Sequence, residues 1–352
     1  MYEKPFLLMP AIICLSLCFL SCRQGIKSSE SEAWKGRYTV EVKELLRIGS
    51  EDLADDPYVF SGINDIRIDG SGNVYALDFK ELKIKVFTPE GKYLRAYELH
   101  KGQGPGEFQR PLWFDIGPNG DLYVVDSDLP RITALNQTGK YVGMMTLRRR
   151  PGLIAVGRDG SIYMTGGLLD TSEYEVSKYH FPDGKLLDTF CPTNELARWI
   201  GRVGGNGEIC VNPQGNVYYS FTIPYDIREF SPSGELLNRF GRKIPSWRPP
   251  RISNTGLPDS PIMSLTMGVF PDGKLLCTFL DRRTDPYVYW FDVFDKNGDW
   301  LISFDTREYI KDKYGRLVRI DSRGHVYMEF WKPFPHIRKY SIEFVPVNAR
   351  GQ

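Results

Sequence analysis

Six times along the chain, a short polar run ending in glycine leads into an alternating hydrophobic stretch. The copies are "DGSGNVYALD" (69–78), "GPNGDLYVVD" (117–126), "GRDGSIYMTG" (157–166), "NPQGNVYYSF" (212–221), "FPDGKLLCTF" (270–279) and "DSRGHVYMEF" (321–330). Their glycines, Gly72, Gly120, Gly160, Gly215, Gly273 and Gly324, lie 40 to 58 residues apart. A second glycine motif follows each of the first five: "FTPEGKYL" (87–94), "LNQTGKYV" (135–142), "FPDGKLL" (181–187), "FSPSGELL" (230–237) and "FDKNGDWL" (294–301). A period of this length marks an array of supersecondary units, and it narrows the choice of fold more than any local signal.

Each motif reads as a hairpin turn. Pro, Asp, Asn and Ser favour a type I turn, and the glycine supplies the positive φ that closes it onto the return strand. Two hairpins per repeat give four antiparallel strands, called a, b, c and d from the first to the last. A single four-stranded sheet leaves both faces bare, whereas radial stacking buries each against a neighbour. The expected fold is therefore an all-β, six-bladed β-propeller of four-stranded antiparallel blades. A β-sandwich needs no period near 50 residues, and no 3.6-residue pattern supports a helical solenoid. The sixth repeat lacks its second glycine turn, while "RYTVEVKELLRIG" (37–49) alternates like a d strand ahead of the first a strand. That N-terminal strand is expected to complete blade six and close the ring, removing an exposed sheet edge.

Composition agrees with this class. The chain is 41% hydrophobic, with 34 Gly and 24 Pro, which supplies core material and many turns. A net charge of +1 gives no general attraction to nucleic acid, and none is expected as a partner.

"GQGPGEFQRP" (102–111), then "FDIGPNGDLYVVD" (114–126) and "RITALNQTGK" (131–140), resembles the NHL-repeat consensus. The matching features are a Gly-Pro-Gly-x-Phe loop, a Gly-Asn/Asp-hydrophobic-Tyr strand, an Asp and an Arg-Ile strand. The resemblance extends over about residues 37–345 and is strongest in blades one and two, where Asp78 and Asp126 end strand b. Gly166, Phe221, Phe279 and Phe330 hold that column in the later blades. The Gly-rich loop reads as the d–a connection between blades one and two. It is no phosphate cradle, because no Gly-Lys-Ser/Thr end or following helix accompanies it.

At the N-terminus, Lys4 precedes the apolar run "PFLLMPAIICLSLCFLSC" (5–22), short for a spanning helix and followed at once by "RQGIKSSESE". Phe19-Leu20-Ser21-Cys22 resembles a bacterial lipobox, which implies cleavage before Cys22 and its acylation. The expected organisation is a lipoprotein signal peptide (1–21), a flexible tether (22–36) and the propeller (37–352). With the repeats, this makes the chain similar to the six-bladed propeller lipoproteins common in Bacteroidota. The implied setting is the cell envelope, anchored by lipid and facing the periplasm, with a monomer expected. Of the remaining thiols, Cys191, Cys210 and Cys277 are too scattered for a disulfide framework or zinc site, and buried free thiols are expected.

Propeller enzymes such as lactonases and amidating lyases hold a metal over the central channel, with ligands converging from several inner strands. Here the residues five before each first-motif glycine are Arg67, Asp115, Ala155, Cys210, Gly268 and Arg319. Those seven before are Asp65, Trp113, Leu153, Glu208, Thr266 and Leu317. These columns form no ligand ring, and no metal or other cofactor is expected. Asp65, Asp115 and Glu208 remain the alternative acidic site, although a salt-bridge set with Arg67 and Arg319 is the more economical reading. The four histidines, His100, His180, His325 and His336, are scattered, with His336 expected in a loop. No Gly-x-Ser-x-Gly nucleophile motif is present.

The a–b and c–d turns are short and formulaic, so length variation falls in the b–c and d–a connections on the opposite face of the disc. "RRRP" (148–151), "ARWIGR" (197–202), "GRKIPSWRPPR" (241–251), "DRRTDP" (281–286) and "WKPFPH" (331–336) all lie there. Arg150, Arg198, Trp199, Trp247, Arg248, Arg283 and Trp331 are thus the candidate ligand-binding residues. Trp offers a broad apolar face and Arg a planar donor fork, a pairing suited to an anionic glycan, a peptide or an envelope protein. Function then reads as a non-catalytic binding or interaction scaffold, the alternative being a metal-dependent, lactonase-like hydrolase or lyase.

Overall fold

Hairpin chemistry builds the blades as the glycine spacing predicts. The computed structural model describes residues 38–54, 56–148, 151–166, 173–202, 207–223, 225–242, 251–252, 258–259, 262–281, 288–310, 315 and 319–347. Within them run six four-stranded antiparallel sheets arranged as a β-propeller. The inner a strands are Ile63–Ile68, Pro111–Ile116, Ile154–Val156, Glu208–Val211, Ile262–Val269 and Arg319–Ile320. All eleven motif glycines take positive φ, from +69° at Gly184 to +93° at Gly215. At the first turn, Gly72 N–H donates to the Asp69 carbonyl and Asp69 N–H to that of Asn73. The Asp69 carboxylate meanwhile accepts from the backbone of Ser71 and Asn73, so one side chain fixes the turn from inside.

The N-terminal strand closes the ring. Tyr38–Ile48 pairs antiparallel with the c strand of blade six, His336–Pro346, from Tyr38 opposite Pro346 to Ile48 opposite Ile337. That strand's start, Tyr38, lies on the turn face, because the c strand reaches that face at its C-terminal end. The core lies between blades as clusters of buried aliphatic and aromatic side chains, such as Leu77, Ile84, Phe114 and Val124 between blades one and two.

In one of the described connections the structure forms a helix where the sequence reads as a loop. "ARWIGR" forms part of a helix, α1 (Glu195–Arg202), in the d–a connection from blade three to blade four. Asn194 starts it, its Oδ1 accepting Ala197 N–H at 2.8 Å, with Glu195 in the first turn. The Gly-rich loop joins strand d of blade one to strand a of blade two, as expected. Gly104 N–H donates to the Glu107 carboxylate at 2.7 Å. Arg131 clamps the loop from strand c, donating to the carbonyls of Gln103 and Glu107 at 2.7 and 2.5 Å.

Candidate functional site at the central channel

The inner strands bring five charged residues from four blades together. Arg67 Nε donates to Asp115 Oδ1 at 3.0 Å, and its Nη1 donates to Asp65 Oδ1 at 2.5 Å and to the Ile66 carbonyl at 3.0 Å. From blade six, Arg319 donates to Asp65 Oδ1 at 3.1 Å, to Glu208 Oε1 at 3.4 Å and to the Ile66 carbonyl at 3.1 Å. The remaining carboxylate oxygens of the two aspartates accept backbone N–H groups from the next blade: Asp65 from Phe114 at 3.1 Å, Asp115 from Val156 at 2.7 Å. The network thus straps blades one, two, three, four and six around the channel. Blade five contributes Gly268 at this level, where a Cβ would stand 2.8 Å from Ile320 Cγ1. The close approach of the sixth blade requires glycine there.

Burial governs the electrostatics. Asp65 and Glu208 are buried and Asp115 half-buried. Desolvation pushes the Asp115 carboxyl above its usual range, partly offset by Arg67, and does the same to Glu208 against Arg319. Burial first, then the Glu208 charge, pushes the nearby Cys210 thiol up to about 12, so it stays protonated and unreactive at neutral pH. Cys191 and Cys277 are buried free thiols, as expected, and Cys210 is a half-buried one.

Above this ionic floor opens a cavity of about 650 Å³. Its rim is made by the a–b turns, including Asp69, Pro118, Arg158, Pro213, Pro271 and Ser322, so it faces the side of the disc opposite the long connections. Its wall is the column four residues before the turn glycines: Ile68, Ile116, Val156, Val211, Val269 and Ile320, one β-branched residue per blade and all half-buried. Sequence reasoning tested the charged columns and passed over this one, because aliphatic residues in strands read as core. Its signal was present: six β-branched residues in one register.

The candidate residues on the loop face are spread out. Arg150, Trp247, Arg248 and Arg283 lie outside the described residues, as does Cys22. Trp199 is on α1, and Arg198 beside it is half-buried, with its charge acting on buried Glu175. Trp331 is 54% exposed, its indole N–H donating to Glu329 Oε1 at 2.9 Å.

No histidine lines the cavity. His100 is exposed, and His180 and His325 each bond a carboxylate at 2.9 Å, Asp183 and Asp321 respectively. His336 is the first residue of a strand, not part of a loop, and is fully buried. Arg338 Nε donates to its Nε2 at 2.9 Å, which leaves the proton on Nδ1 to bond the Phe334 carbonyl at 2.7 Å. Among the described residues no group of three His, Cys, Asp or Glu side chains is placed to hold a metal ion.

No protein-family model matches the chain, and no curated protein matches it in sequence. Solved structures share its fold. A protein described as exported, from Bacteroides fragilis, superposes with a TM-score of 0.61 at 13% identity, covering 90% of this chain and 98% of that one. A streptogramin B lyase gives 0.55 at 14% identity, covering 89% of this chain and 100% of that one. A gluconolactonase from Xanthomonas campestris gives 0.53 at 14%, covering 89% and 93%. At these identities the likeness is one of fold.

Proposed function

We propose that this chain is an exported propeller of the bacterial cell envelope, lipid-anchored through Cys22, that binds a ligand or partner protein and does no chemistry in its channel. The observation that carries this reading is the engagement of the channel acids. Asp65, Asp115 and Glu208, the set a metal-dependent hydrolase or lyase would need, are bonded to Arg67 and Arg319. Two guanidinium groups stand where a divalent cation would have to compete for the same oxygens. The fold shared with a streptogramin B lyase and a gluconolactonase motivates the enzymatic alternative, but the side chains of this channel do not favour it.

The lipobox-like Leu20-Ser21-Cys22 supports anchoring, and the exported neighbour and the NHL-like blades one and two are in keeping with an envelope scaffold. No acidic run directly follows Cys22, which favours the periplasm-facing side. The loop-face residues Arg150, Arg198, Trp199, Trp247, Arg248, Arg283 and Trp331 are proposed to meet an anionic glycan, a peptide or an envelope protein. In a screen of anionic and neutral glycans, wild type should bind and the double substitution Trp247→Ala with Arg248→Ala should bind less, at an unchanged melting temperature. Equal binding by both proteins removes this loop from the site. Membrane fractionation tests the anchor: Cys22→Ala should release the protein, and a membrane-bound mutant contradicts it.

A further inference from the structure

The cavity on the turn face is built from features the loop-face reading does not use. Its wall is a closed aliphatic ring, one Ile or Val from each blade, and its volume falls within the range of small-molecule sites. At its base lies Arg67, whose Nε and Nη1 are committed to Asp115, Asp65 and the Ile66 carbonyl. Among the described residues nothing accepts a hydrogen bond from Arg67 Nη2, although Arg67 lines the cavity and is only 9% exposed. That donor has no partner among the described residues and opens onto the cavity at the foot of the aliphatic wall, where a ligand's acceptor can meet it in place of solvent.

The charges around that donor select the kind of acceptor. Three carboxyl groups and two guanidinium groups meet at the floor, so it offers no net positive charge to an anion. Both Asp115 oxygens are already engaged, by Arg67 and by the Val156 N–H, so no free acceptor of Asp115 greets a cation. The aliphatic ring favours an apolar body.

We propose that the turn-face cavity binds an uncharged small molecule with an apolar body and a carbonyl-type acceptor at one end, the acceptor meeting Arg67 Nη2 and the body held by the six-residue aliphatic ring. This site is separate from the loop face, on the other side of the disc, so the two tests fail independently.

Three naphthalene probes of similar size test it on the full-length protein by titration calorimetry. They are 2-acetylnaphthalene, with a neutral carbonyl, 2-ethylnaphthalene, with none, and naphthalene-2-sulfonate, an anion. The ketone should bind saturably at one site per chain and about tenfold tighter than the hydrocarbon, the worth of one hydrogen bond from a charged donor. The sulfonate should bind more weakly than the ketone. Val211→Phe and Ile116→Phe each place a ring in the well from a half-buried wall position, and each should remove ketone binding. Trp331→Ala, on the other face, should leave it unchanged. The inference is overturned by a ketone that does not bind, by ketone and hydrocarbon binding equally, or by the sulfonate binding tightest. It is equally overturned if both Phe variants retain wild-type melting temperatures and wild-type affinity. Should one Phe variant fail to fold, the other and the probe comparison on wild type decide it.

Discussion

One column of the repeat is filled by two kinds of chemistry. At the end of strand b, blades one and two carry Asp78 and Asp126, and blades four to six carry Phe221, Phe279 and Phe330. Asp126 accepts four backbone N–H groups, from Gln109, Arg110, Asp128 and Leu129 at 2.6 to 3.2 Å. Asp78 likewise accepts from Ser61, Lys80 and Glu81. In the later blades a guanidinium covers each ring instead: Arg228 over Phe221 at 4.5 Å, Arg242 over Phe279 at 5.1 Å and Arg338 over Phe330 at 4.2 Å. Those arginines are themselves held by acids or a histidine, Arg228 by Asp226, Arg242 by Asp292 and Arg338 by His336.

The difference teaches what the position is for. The end of strand b must anchor the connections of the loop face. A carboxylate does so by satisfying backbone donors that would otherwise lie buried. A phenyl ring does so by filling volume and seating a cation. The column changes from Asp to Phe along the chain, yet the blade geometry persists because the glycine turns do not change.

The largest effect on this comparison is expected from deleting residues 37–49. That removes the strand carrying Glu44, which stands 3.7 Å from Arg338, and with it the closure of the Phe-type blade six. Blades in a closed ring depend on both neighbours, so unfolding should shift as a whole, by more than about 10 °C, rather than lose one local phase. Calorimetry showing an unchanged transition would break the closure assignment. Next comes Phe330→Ala, which empties a fully buried site and should cost about 3–5 kcal/mol in denaturant unfolding. Asp126→Ala should cost less, about 2–3 kcal/mol, because part of the freed backbone gains water, and Asp126→Asn less again, since the amide oxygen still accepts. A loss for Asp126→Ala larger than for Phe330→Ala would reverse the ranking.

The smallest effect is a pH dependence carried by Asp78 in the first of the Asp-type blades. Burial pushes the Asp78 carboxyl above its usual range, outweighing its backbone N–H partners. Between the unfolded and the raised folded value the native state holds more protons, so the stability from this group is full at low pH and lost as pH rises through the folded value. Stability measured against pH should therefore fall more steeply across that window in wild type than in Asp78→Asn. Phe330→Ala should leave the slope unchanged. Identical slopes for wild type and Asp78→Asn would show that the carboxylate is not held as the structure has it.

Much of this was legible in the sequence. Eleven glycines with polar flanks gave the blades, because a positive φ is a requirement few other residues meet. The missing turn in the sixth repeat and the alternation of residues 37–49 gave the ring closure. Two columns of inner-strand residues place Asp65, Arg67, Asp115, Glu208 and Arg319 around the channel from spacing alone. The aliphatic ring was not legible as a site, since Ile and Val in a strand look alike whether they face a neighbour or a cavity. Nor were the Arg–Phe pairs, whose members come from different strands or blades. Helix α1 was overlooked although Asn194 followed by Glu195 is a start signal, because the Arg and Trp of that segment drew the reading toward a binding loop.

The central claim is that the channel acids are committed to arginines and do not form a metal centre. Metal content tests it most directly. Protein purified without chelator and dialysed should contain well under one equivalent of calcium or zinc by elemental analysis, and adding either ion should leave its melting temperature unchanged. One equivalent that survives dialysis, raises the melting temperature and is lost in Asp115→Asn would contradict the account and make the channel a metal site.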